Sequence, residues 1–143
     1  HKGVASIPFF PTGTKMEKIK EAVDEGYFIL KIKLGASGTQ EEMLEKDMAF
    51  LTELHKTIGH KETPHTSNGM IPYYFDLNGR YESKETLMRL LDHTKKIGAF
   101  PQLAVLEEPF PEDYHAYVGD MGVRVASDES CHTVAEAKHR IEL

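Results

Sequence analysis

The chain has 143 residues, with 17 Lys+Arg against 23 Asp+Glu and a formal net charge of -6. At 40% hydrophobic and 28% charged it has the balance of one globular domain with its own core, which excludes a disordered chain. A mild acidic excess without a dense basic patch excludes nucleic acid as the main partner, and no apolar run approaches the roughly 20 residues of a membrane-spanning helix.

The chain opens with an apolar segment, 3–9, that reads as a strand closed by Pro11 and Gly13. Thr14 is placed to cap a helix running to about Glu25, with Met16, Ile19, Ala22 and Val23 on one face and Gly26 as the stop. Residues 27–34 are rich in β-formers and end at Gly35. From Thr39 a second helix carries Met43, Leu44, Met48, Leu51 and Leu54, with Gly59 ending it. The stretch 60–69 is polar and reads as a loop. Ile71 to Asp76 is a third strand, and Ser83 caps a helix carrying Leu87, Leu90, Leu91 and Ile97 up to Gly98. Leu103 to Glu107 is a fourth strand, a weak helix or loop spans 113–118, and Val123 to Ser127 is a fifth strand. Thr133 opens a last helix that the chain end interrupts.

Strands alternating with helices imply an α/β fold with a parallel sheet and right-handed crossovers. That order suits a doubly wound sheet or part of a (β/α)₈ TIM-type barrel; in both, functional groups gather at the C-terminal ends of the strands. The first turn, Phe10-Pro11-Thr12-Gly13-Thr14, has one glycine and lacks the dinucleotide fingerprint.

The strand ends carry the chemistry. Lys31 and Lys33 share one face of the second strand, opposite Phe28, Leu30, Ile32 and Leu34. Two inward lysines are costly unless carboxylates or an anion receive them. The third strand closes with Asp76-Leu77-Asn78, the fourth with Glu107-Glu108-Pro109, and the fifth with Ala126-Ser127-Asp128-Glu129. Three carboxylates from neighbouring strand ends make an oxygen-ligand site for a hard cation such as Mg²⁺. Alternation favours Asp128 over Glu129 as a ligand but does not separate Glu107 from Glu108. His55, His60 and His65 lack the tight spacing of zinc ligands, and Cys131, the one cysteine, cannot close an internal disulfide, so a reducing, cytoplasmic setting is expected.

Taken in order, Lys31-x-Lys33, Asp76-x-Asn78, Glu107-Glu-Pro109 and Ala126-Ser-Asp128-Glu-Ser130 resemble the barrel domain of the enolase superfamily. The likeness is to its mandelate racemase and muconate lactonizing enzyme branch, closest to dipeptide epimerase-type members. The resemblance implies Asp76, Glu107 and Asp128 as Mg²⁺ ligands, Lys33 as the base and Lys31 as its neighbour. Asn78 is expected to support a metal ligand or Lys31, and Glu129 is expected to stand beside the site in a supporting role. A lysine base must shed its proton from a reference pKa of about 10.4, which a nearby cation, a second lysine and partial burial all favour. The implied reaction is Mg²⁺-dependent removal of a proton beside a substrate carboxylate, through an enediolate. Racemisation or epimerisation is the leading form; a lyase (cycloisomerase or acid-sugar dehydratase) and a metal-binding barrel without catalysis are the other readings. The expected substrate is a small carboxylate, a dipeptide or sugar acid, and the intact protein is expected to be a homo-oligomer.

A whole barrel takes about 250 residues, so 143 residues match about five of its eight units. With His1 where an initiator Met is expected and a helical pattern interrupted at Leu143, residues 1–143 are read as a partial barrel. The capping domain, strands six to eight and the opposing acid/base are then absent from this chain.

Overall fold

The computed structural model describes residues 6–143. Five parallel strands pair in strict chain order, β1 (Phe9–Phe10), β2 (Leu30–Lys33), β3 (Tyr73–Asp76), β4 (Leu103–Glu107) and β5 (Arg124–Ala126). Four α-helices accompany them among the described residues: α1 (Met16–Asp24), α2 (Gln40–Ile58), α3 (Lys84–Lys96) and α4 (Val134–Glu142). A strand order that never reverses decides between the two architectures. A doubly wound sheet reverses direction at a switch point, whereas a barrel winds one way and keeps its helices outside. This chain winds as a barrel does.

One face of the sheet is apolar and sealed. Leu30, Ile32, Leu34, Tyr73, Phe75, Leu77 and Leu106 are buried there. The helices cover that face with Met43, Leu44, Leu51, Leu54 and Ile58 of α2 and Leu87, Leu90 and Leu91 of α3, the 3.6-residue spacing of an amphipathic helix. Thr39 accepts the Glu42 N–H while Glu42 reaches back to the Thr39 N–H, and Thr133 and Glu136 repeat that reciprocal cap on α4. Ser83 caps α3 by accepting the Thr86 N–H. Helices α1 and α3 end in paired bonds across a left-handed glycine: Gly26 N–H to Val23 O with Tyr27 N–H to Ala22 O, and Gly98 N–H to Lys95 O with Ala99 N–H to Thr94 O.

Some expectations are corrected. Thr14 does not cap α1: its hydroxyl turns back to the Pro11 carbonyl, and Lys15 holds the cap position without a side-chain bond. Of the helix or loop expected over 113–118, the structure forms the loop. Tyr114, Ala116 and Val118 are half-buried there while His115 and Tyr117 are exposed, a period of two that suits extended chain, and Pro109, Pro111, Gly119 and Gly122 break any helical turn. The expected first strand falls partly on residues 1–5, outside the described residues; its described part is the pair Phe9–Phe10. Among the described residues no helix is long and apolar enough to cross a membrane.

Candidate active site at the strand ends

Parallel register sets the site. Lys33, Asp76, Glu107 and Ala126 are paired neighbours in one row across β2 to β5, and Lys31, Tyr74, Val105 and Arg124 form the row behind it. Side chains alternate along a strand, so both rows face away from the helices. Glu107 shares the row of Asp76, and Glu108 lies just past the end of β4.

The Lys31 ammonium lies between two carboxylates, 3.3 Å from Asp76 Oδ2 and 2.5 Å from Glu107 Oε2. It also sits 5.4 Å from the centre of the Tyr74 ring. Burial works against the charge on Lys31, but the Glu107 carboxylate, helped by Asp76, outweighs it and holds the lysine pKa above its ordinary value. Burial, and then the Glu107 charge, push the Tyr74 hydroxyl up.

Lys33 has a different partner. Its ammonium donates to Asn78 Oδ1 at 2.5 Å, and Asn78 Nδ2 donates onward to Glu129 Oε1 at 2.5 Å. Asn78 also donates its backbone N–H to Asp76 Oδ1 at 3.1 Å. It does so at φ 50°, a left-handed conformation that Asn tolerates better than most residues. Among the described residues Lys33 makes no ion pair, so a neutral amide receives it where two carboxylates receive Lys31.

The third expected ligand stands apart. Asp128 is exposed beyond the end of β5, two residues past Ala126, and no three His, Cys, Asp or Glu side chains among the described residues are grouped to hold a metal ion. The residues that do converge suit a hard divalent cation. Asp76 and Glu107 are buried, adjacent and already turned onto one positive charge. Glu107 Oε2 has no directed hydrogen bond; its contact with Lys31 is an ion pair off the hydrogen-bond axis.

The sequence reading weighed Glu108 only as an alternative to Glu107 and missed Asp47 altogether. Glu108, 5% exposed, accepts the backbone N–H groups of Asp128 at 2.6 Å and Ser130 at 3.2 Å on one carboxylate oxygen. Asp47, 2% exposed on the inner face of α2, accepts the N–H groups of Gly35 and Ala36 at 2.9 and 3.3 Å and the Tyr81 hydroxyl at 2.8 Å. It thereby ties the loop after Lys33 to the loop after Asn78. The signal for Asp47 was present: it interrupts the stripe Met43, Leu44, Leu51, Leu54 with a carboxylate where helical spacing calls for an apolar side chain. Of the three histidines, His55 lies 3.3 Å from the Tyr73 hydroxyl and His65 packs against Phe28, while His60 is exposed.

Comparison with known proteins agrees with this fold. The family model described as enolase C-terminal domain-like matches residues 15–143. Among solved structures, the chain is similar to a mandelate racemase/muconate lactonizing enzyme from Roseiflexus sp., at 22% identity over 94% of this chain and 36% of that one, with a TM-score of 0.68. It is also similar to the muconate lactonizing enzyme from Pseudomonas putida (12% identity, 90% and 34% coverage, TM-score 0.60). A third is the muconate lactonizing enzyme from Pseudomonas fluorescens complexed with muconolactone (14%, 90% and 32%, TM-score 0.58). The chain thus spans about a third of the length of these structures, and at such identities the likeness is one of fold. No curated protein matches the chain. The chain belongs to the enolase C-terminal domain-like family, and its five parallel strands match part of that family's TIM-type barrel.

Proposed function

We propose that residues 1–143 are the first five units of a barrel in an enzyme that removes a proton from the carbon beside a substrate carboxylate, with Mg²⁺ as its cofactor. The observation that carries this reading is the division of labour between the two lysines. Lys31 is committed to Asp76 and Glu107, while Lys33, at the strand's end, is received by a neutral amide.

Asp76 and Glu107, with Asp128 brought in from the next strand end, would hold the cation, whose positive charge stabilises the enediolate that deprotonation creates. Lys33 is the base. Among the described residues it makes no ion pair, and the Asn78 amide oxygen receives its nitrogen. Lys31 pairs with the two buried carboxylates and holds them in place, and it stands one residue pair behind the reacting row. Glu129, through Asn78, fixes the orientation of the amide on Lys33. The reaction is racemisation or epimerisation of a small carboxylate such as a dipeptide or sugar acid, with a second acid/base on the opposite side of the substrate.

The test is α-proton exchange in D₂O, followed by proton NMR, with the full-length protein, Mg²⁺ and panels of dipeptides and sugar acids. Exchange with an intact carbon skeleton is expected. Loss of a β substituent or ring closure would replace epimerisation with a lyase reaction, and no exchange with any carboxylate would leave a metal-binding barrel without catalysis. Replacing Lys33 with Ala should slow exchange by about 10²- to 10⁴-fold, the usual contribution of a general base; exchange at the original rate would remove Lys33 from that role.

A further inference from the structure

Residue 108 links the ends of β3, β4 and β5 at the candidate site. Its N–H donates to the Ala126 carbonyl at 2.8 Å, its carbonyl accepts the Gly79 N–H at 2.6 Å, and its carboxylate accepts the N–H groups of Asp128 and Ser130. Residue 79 follows Asn78, residue 107 is the candidate ligand beside it, and residue 128 is the third. Glu108 makes these bonds at φ 40°, a backbone conformation unfavourable for a side chain without a local polar compensation. Its carboxylate is buried, and its bonds go to the loop after β5, not to Lys33, Asp76 or Glu107. The strained conformation places a charged acceptor under the loop that leaves β5, where one oxygen holds two backbone donors in charge-assisted bonds.

We propose that Glu108 is a positioning residue that fixes the backbone of 128–130 so that the Asp128 side chain can join Asp76 and Glu107 around a divalent cation. This rests on the metal reading given above. The sequence Glu107-Glu108-Pro109 thereby puts two carboxylates to two uses: one faces the site as a ligand, and the next grips the loop that supplies another ligand. An oxygen acceptor, and not the negative charge itself, is what the two N–H groups require, so an amide oxygen in the same place satisfies them.

The experiment has two parts, each on the full-length protein. Without metal, hydrogen exchange of segment 128–131 should accelerate in Glu108→Ala relative to the wild type, and Glu108→Gln should restore protection. Equal exchange in wild type and Glu108→Ala would overturn the clamp. Mg²⁺ titration calorimetry follows. The wild type should bind, and its failure to bind would overturn the metal reading while leaving the exchange result to judge the clamp. Glu108→Ala should weaken Mg²⁺ binding by about 10- to 100-fold, the usual effect of losing a residue that orients a metal ligand. Glu108→Gln should stay within a few-fold of the wild type. The double variant Glu108→Ala, Asp128→Asn should bind no more weakly than Asp128→Asn alone, because the clamp acts only through Asp128. Additive losses, or wild-type affinity in Glu108→Ala, would overturn the proposal.

Discussion

Replacing Lys31 with Met keeps the length of the side chain and removes the charge between Asp76 and Glu107. At an effective dielectric near 20, contacts of 3.3 and 2.5 Å correspond to about 5 and about 7 kcal/mol of attraction before desolvation. Taking three charges out of water cancels most of that, and removing one partner of a buried pair typically costs about 3–5 kcal/mol. The Lys31 side chain is 29% exposed, so solvent screening brings the expected loss in metal-free protein to about 2 kcal/mol. A divalent cation on the same carboxylates supplies the missing positive charge. Linkage then requires the variant to bind Mg²⁺ more tightly by the same amount, about 30-fold for about 2 kcal/mol. Urea unfolding with and without Mg²⁺, together with Mg²⁺ calorimetry, measures both sides of the cycle. The pH dependence adds a sign. Because Lys31 is held above its ordinary value of 10.5, its contribution is fully present below pH 10.5 and is lost as pH rises through the higher folded value. The wild type should therefore shed that increment in alkali, and the Met variant should have none to shed. A variant that unfolds at the wild-type urea concentration and binds Mg²⁺ with wild-type affinity would refute the reasoning.

Two further outcomes are expected. Burial holds the Asp47 carboxyl above its ordinary 3.8 despite the Tyr81 hydroxyl and two backbone donors, so the stability it contributes below that pH is lost as pH rises through its folded value. Asp47→Asn should flatten this loss in urea unfolding between pH 3 and 7. Asp47→Ala, which leaves the Gly35 and Ala36 N–H groups and the Tyr81 hydroxyl without an acceptor, should cost about 3 kcal/mol; equal effects of Asn and Ala would contradict this account. On the surface, the Lys20 ammonium, joined by Lys61, holds Asp24 at about 2, so its contribution is present above 3.8 and is lost as pH falls toward 2. Lys61→Ala should move the Asp24 titration, followed by NMR, back toward 3.8, and an unmoved midpoint would show that Lys20 acts alone.

Local rules made much of the scaffold readable. Thr39, Ser83 and Thr133 declare their helix starts because a hydroxyl followed by a helical apolar pattern has few other uses. Lys31 and Lys33 could be set against Leu30, Ile32 and Leu34 because a strand alternates strictly. What resisted were properties that depend on a partner strand. Glu107 and Glu108 look alike until the pairing of Asp76 with Glu107 sets one in the row and leaves the other past the end of β4. Asp47 and Glu108 act through backbone donors that come close only in the fold. Thr14 shows the opposite failure: a good capping residue found a nearer acceptor in the Pro11 carbonyl. Between β4 and β5 the sequence left helix and loop open, and the alternation of half-buried Tyr114, Ala116 and Val118 with exposed His115 and Tyr117 decides for extended chain.

The strict chain order of the five strands has a consequence for assembly. Each strand docks against the one made just before it, so no unit waits for a distant segment, and the pairing entropy is met one short loop at a time. Along the chain Lys31 comes before both of its carboxylate partners, Asp76 on the next strand and Glu107 on the one after, so the cation stands on the strand that precedes the two acids it joins.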